Sequence, residues 1–160
     1  MLALRWLIVA LTGGFPMVRT IFLGCCLMLV SCGSPAGSEI KVDNVWARAT
    51  APGQTSAAVY ATIKNEGGTG DRLLAASSAR AAHAMLHEGA MENGIARMRM
   101  VERIDLPPGE LIELKPGGGH IMLTGVAEPL NAGQDVTLRL RFEKSGEIAV
   151  RVTIVAAGER

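Results

Sequence analysis

Cysteine is scarce and sits at one end: Cys25, Cys26 and Cys32 are the only three, and none follows residue 32. Whatever folds beyond that point has no disulfide to rely on, so an apolar core must hold it, although small exported domains often use such bonds. Charge of either sign is not in excess. Lys and Arg number 16 against 15 Asp and Glu, and losing Arg5 and Arg19 with the first 31 residues would leave 14 against 15. That balance argues against nucleic acid as a partner, because neutralising phosphates needs a basic surplus. A membrane-spanning run is missing near the N-terminus, where the apolar stretch over residues 20–30 has about 11 residues against the roughly 20 that a spanning helix needs. The His-Glu-x-x-His arrangement of zinc peptidases is absent too, since His87-Glu88 is followed by Gly89-Ala90-Met91, and no acid–base pair or second metal set suggests an enzyme.

What the first residues do carry is an export pattern. Arg19, the short apolar stretch, and then Leu29-Val30-Ser31-Cys32-Gly33 read as a lipoprotein signal peptide over residues 1–31. Residues 1–16, with a second apolar run over 2–11, fit an upstream start, with Met17 as the initiator of a signal of ordinary length. Cleavage before Cys32 leaves that thiol for acylation, and acyl chains would hold the protein at a membrane. Residues 32–39 form the lipidated Cys and a polar linker containing Ser34-Pro35-Ala36-Gly37-Ser38, suited to holding a domain off a surface. The expected location is the periplasmic side of the envelope, and Gly33 rather than Asp after the Cys favours the outer membrane over the inner.

A single domain is expected over residues 40–157. Segments 40–49, 56–64, 73–78, 95–101, 111–114, 120–124, 136–142 and 148–155 are strand-like, separated by turn clusters such as Asn65-Glu66-Gly67-Gly68, Pro107-Pro108-Gly109 and Pro116-Gly117-Gly118-Gly119. Short strands at this spacing predict an antiparallel sandwich or barrel. Val136, Leu138, Leu140 and Phe142 alternate with Thr137, Arg139, Arg141 and Glu143, one face buried and one wet. Residues 79–91 have high helix propensity, yet Asn93-Gly94 between two short apolar-containing runs is a strong hairpin signal. A strand is therefore expected there.

Beyond residue 32 all three histidines, His83, His87 and His120, and all five methionines, Met85, Met91, Met98, Met100 and Met122, lie between residues 83 and 122. If the hairpin turns at Asn93-Gly94, His87 faces Met100 with Met98 diagonal to it, or faces Met98 directly in a register one step tighter. Both registers put His87 and Met98 on one face, because strand side chains alternate with period two. His120 and Met122 share a face of their own strand, so four donors from three strands converge if that strand lies beside the hairpin. Thioether sulfur is soft and neutral, and two imidazoles with two thioethers should favour Cu(I) over Zn²⁺, Mg²⁺ or Ca²⁺. A blue-copper electron-transfer centre would need a thiolate, and only Cys32 remains to offer one. Met91 reads as packing, His83, Met85 and Met100 as an accessory track or surface filling, and Trp46 as support for the sandwich. Arg97, Arg99 and Arg103 read as a solvated face.

Ten residues separate His87 from Met98, twenty-one separate Met98 from His120, and His120-Ile121-Met122 completes the set. This resembles the His-x10-Met-x21-His-x-Met signature of the periplasmic copper chaperone PCu(A)C family. The likeness extends to Trp46-Ala47-Arg48-Ala49-Thr50, Ala57-Ala58-Val59-Tyr60, Met91-Glu92-Asn93-Gly94 and Pro116-Gly117-Gly118-Gly119-His120-Ile121-Met122-Leu123, covering about residues 40 to 156. The resemblance implies an all-β, cupredoxin-like Greek-key β-sandwich and a shallow Cu(I) site of His87, Met98, His120 and Met122. It also implies a monomer that delivers copper to an acceptor such as cytochrome c oxidase subunit II, at the dinuclear copper centre. The Met/His-rich C-terminal tail of some members, which adds Cu(II) capacity, has no counterpart in Ala156-Ala157-Gly158-Glu159-Arg160. The rival reading is an envelope β-sandwich lipoprotein with a structural or assembly role and no metal.

Overall fold

The computed structural model describes residues 37–92 and 95–160, without the side chains of Met91, Glu92 and Ala96. The export segment and Cys32 therefore lie outside the described residues. Ten strands follow in chain order: β1 Ile40–Arg48, β2 Ser56–Asn65, β3 Asp71–Ser77, β4 His83–Glu92, β5 Ile95–Val101, β6 Ile104–Leu106, β7 Leu111–Leu114, β8 His120–Thr124, β9 Asp135–Phe142 and β10 Glu147–Val155. Among the described residues there is no helix, as the all-β expectation required. Propensity loses over residues 79–91: a turn occupies 79–80, a bend follows at 82 and β4 begins at His83, where pairing on both sides outweighs the few tenths of a kcal/mol per residue that favour helix. The three-residue β6 carries too few positions for alternation to be read from sequence.

Strand order runs β5-β4-β8-β2-β1-β10-β9-β3-β6, with β7 also on β2. All pairs are antiparallel except β1 with β10. A register shift between Asp43 and Trp46 marks a bulge in β1. Asn44 there takes φ 51, a left-handed conformation that asparagine tolerates better than most side chains.

One cluster of buried side chains joins the two ends of this order: Val59, Ile63, Ile121 and Leu123 from β2 and β8, and Leu73, Leu138, Leu140 and Ile154 from β3, β9 and β10. The alternation expected of β9 is present, with Val136, Leu138, Leu140 and Phe142 buried and the residues between them exposed. Each such side chain contributes about 1.5–3 kcal/mol when fully buried, which is how the domain is held without a crosslink.

The segment leading into β1 is tied to the ends of β2 and β9. Glu66 donates its backbone N–H to the Glu39 carbonyl at 2.7 Å and Gly68 to Gly37 at 3.1 Å, while the Ser38 and Ser145 hydroxyls meet at 2.9 Å. Beneath them Asp71 is buried. Its carboxylate accepts from the backbone N–H of Arg72 and Lys144, and from both the N–H and the hydroxyl of Ser145. Burial alone would raise the Asp71 pKa, but these donors outweigh it and hold the group well below the ordinary carboxylate range.

Candidate metal centre

Three neighbouring strands bring the sequence-predicted residues together. Across β4 and β8, His83 pairs with Thr124, Met85 with Met122 and His87 with His120. Across β4 and β5, His87 pairs with Met100 and Gly89 with Met98. The hairpin thus takes the looser of the two expected registers. Because Leu86, Ile121 and Leu123 fill the core, the alternate positions His83, Met85, His87, Met98, Met100, His120 and Met122 share the opposite, outer face.

Exposure is graded across that face. His120 is only 4% exposed, Met98 and Met100 are 63% and 67% exposed, His87, Met85 and Met122 are half-buried, and His83 is exposed. The two imidazoles stand edge to face with centroids 5.3 Å apart. On the far side of His120, Tyr60 lies 6.3 Å away and Trp46 packs 4.6 Å from Tyr60. Trp46 is therefore a support, and one row of rings runs Trp46, Tyr60, His120, His87 across four strands.

The hydrogen bonding of the histidines sets their chemistry. His120 Nδ1 lies 3.2 Å from the Gly118 carbonyl; a carbonyl only accepts, so Nδ1 carries the proton and Nε2 keeps a free lone pair. His120 Nε2 and His87 Nδ1 are buried and have no hydrogen-bond partner among the described residues. A buried polar atom without a partner costs about 1–3 kcal/mol, so a pair side by side is informative. Burial, and secondarily the neighbouring His120, lower the His87 pKa below its ordinary value of 6.5, which keeps that ring neutral. Two adjacent imidazoles with thioethers on the same face fit a soft monovalent metal ion. Among the described residues no three His, Cys, Asp or Glu side chains converge on a metal position.

The loop 116–119 braces this arrangement. A Cβ on Gly89 would stand 2.7 Å from the Gly118 carbonyl oxygen and 3.0 Å from that of Gly117. Only glycine lets the loop lie so close to β4, and the same Gly118 carbonyl orients His120. The run Pro116-Gly117-Gly118-Gly119 predicts a turn, and the only sequence signal for Gly118 at the site is three glycines directly before His120; Gly89 has none. On the other face of the hairpin, Arg99 bridges Glu88 at 2.7 Å and is exposed, while Arg103 follows β5 and bridges Asp105 at 3.4 Å. Solvated ion pairs of this kind contribute about 0.2–1 kcal/mol.

Residues 40–154 match the protein family described as "Putative lipoprotein LpqE-like". "Putative lipoprotein Lxx21020" of Leifsonia xyli subsp. xyli is 32% identical over 135 residues, covering 82% of this chain and 80% of that protein. Among solved structures, the copper-bound PCuAC domain from PmoF2 is similar at 27% identity and a TM-score of 0.65, over 78% of this chain and 99% of the other. The solution structure of CuI-DR1885 from Deinococcus radiodurans is similar at 25% identity and a TM-score of 0.57, over 79% and 83%. The sandwich is thus the cupredoxin-like one of PCuAC domains.

Proposed function

The chain belongs to the LpqE-like lipoprotein family, related to the PCuAC domains, and from that premise we propose that it is a non-enzymatic copper carrier. It binds Cu(I) through His87 Nδ1, His120 Nε2 and the thioethers of Met98 and Met122. The observation that carries this reading is the pair of neighbouring imidazoles, each with a buried nitrogen that has no hydrogen-bond partner among the described residues, on a face lined with methionine sulfur. All four donors are neutral, so the site does not hold its cargo by charge. With Met98 at the open edge, ligands of an acceptor can displace the protein's own one at a time.

The acceptor in this reading is a cuproprotein facing the periplasm, with the dinuclear copper centre of cytochrome c oxidase the foremost candidate. The carrier is anchored through a lipid on Cys32. Support for the anchor comes from the family description and from the lipoprotein relative, together with the sequence around Cys32.

Anaerobic competition for Cu(I) against a chromophoric chelator tests the binding claim. One equivalent should be retained, and the Met98→Leu, Met122→Leu double variant should lose that retention while keeping its circular dichroism spectrum. Full retention by the double variant would refute the ligand set.

A further inference from the structure

We propose that Met100 is a second, interchangeable thioether ligand for the ion held by His87 and His120, so that Met98 and Met100 alternate at the open edge of the site. The inference rests on the reading of the two histidines as copper ligands and extends it to a residue outside the spacing signature.

Register is the first observation. Met100 is paired directly with His87, whereas Met98 is paired with Gly89, one step further along the hairpin. Directly opposed residues on one face have Cβ atoms roughly 4.5–5.5 Å apart and diagonal ones roughly 7–8 Å. By that difference Met100 is the better placed of the two to meet His87. The space across from Met98 is taken by backbone, since the Gly117 and Gly118 carbonyls close over Gly89. Met98 must lean along the strand to approach His87, and Met100 need not.

Exposure is the second observation. Met98 and Met100 are 63% and 67% exposed on β5, the terminal strand of the sheet. Packing gains nothing from two apolar side chains left in water, and a bare edge strand carrying them invites association. Thioether chemistry supplies the missing reason: methionine has three rotatable bonds and its sulfur suits Cu(I), so either side chain can swing onto the same ion. Two equivalent sulfurs that exchange at one coordination position keep that position labile, so an incoming donor can enter as one sulfur leaves, which is what stepwise handover requires.

The test uses the protein with 13C-labelled methionine methyl groups, titrated anaerobically with Cu(I) against bicinchoninate. Both residues are exposed, so Met98→Leu, Met100→Leu and the double variant should all fold. Each single variant should weaken retention by no more than about threefold and the double by about a hundredfold or more, well beyond the roughly tenfold product of the singles, the non-additivity expected of side chains that replace each other. In Met98→Leu the Met100 methyl resonance should shift on loading. If Met98→Leu alone matches the double variant and the Met100 methyl does not move, the proposal is wrong. Met122→Leu and His120→Ala separate the two claims: were neither to affect retention, the histidine site itself would fail whatever Met100 does.

Discussion

His87 and His120 each carry a buried nitrogen that no described residue satisfies, an arrangement that costs apo stability and serves only if something else fills it. Replacing His87 by leucine should therefore leave the apo protein as stable as before or about 1 kcal/mol more so, while Cu(I) retention falls by orders of magnitude. Thermal melts beside chelator competition would show both; a strongly destabilised variant would mean the imidazole is structural. The same residue sets a pH dependence. Its folded pKa lies below 6.5, so its contribution is intact above that value. It is lost as pH falls from 6.5 through the folded pKa, where the unfolded chain takes up a proton that the folded one resists. Apo His87→Leu should lack that acid loss. The donors themselves were legible in the sequence because soft side chains crowd into residues 83–122. The orphaned nitrogens were not, since they depend on which ring edge the Gly118 carbonyl meets.

At the scale of the elements, the site is a hairpin laid beside β8 and pinned by a glycine loop. Gly89→Ala puts a methyl 2.7 Å from the Gly118 oxygen, so the loop must move and loosen its hold on His120 Nδ1. A loss of about 1–3 kcal/mol in stability is expected. Weaker Cu(I) retention should accompany it, along with a change in the His120 ring 15N shifts that reports a mixed tautomer. Unchanged 15N shifts would show that Gly118 does not set the tautomer. The hairpin followed from Asn93-Gly94 and its shared outer face from alternation, and pairing opposite Met100 was one of two registers the sequence allowed. It could not choose between them, because both leave the same side chains on the outer face. The alanine-rich start of β4 misleads for the opposite reason: its local preference is helical, and only pairing to β5 and β8 overrides it.

For the molecule as a whole, the spacing of short strands and the alternation along β9 pointed to an antiparallel sandwich or barrel, but the parallel contact of β1 with β10 and the buried Asp71 cluster depend on long-range closure that no local pattern announces. The segment entering β1 is fastened near Gly67 and Ser145, so a lipid on Cys32 would hold the domain at that end. Cys32→Ser should move the protein from the membrane to the soluble fraction without altering its copper retention; persistence in the membrane fraction would disprove the anchor. Whether one Cu(I) sits between two imidazoles and methionine sulfur can be read from X-ray absorption at the copper edge of the loaded protein. A Cu(I) edge with both nitrogen and sulfur neighbours is expected, the sulfur contribution falling in Met122→Leu. A shell of nitrogen and oxygen alone, or a spectrum unchanged in His120→Ala, would contradict it.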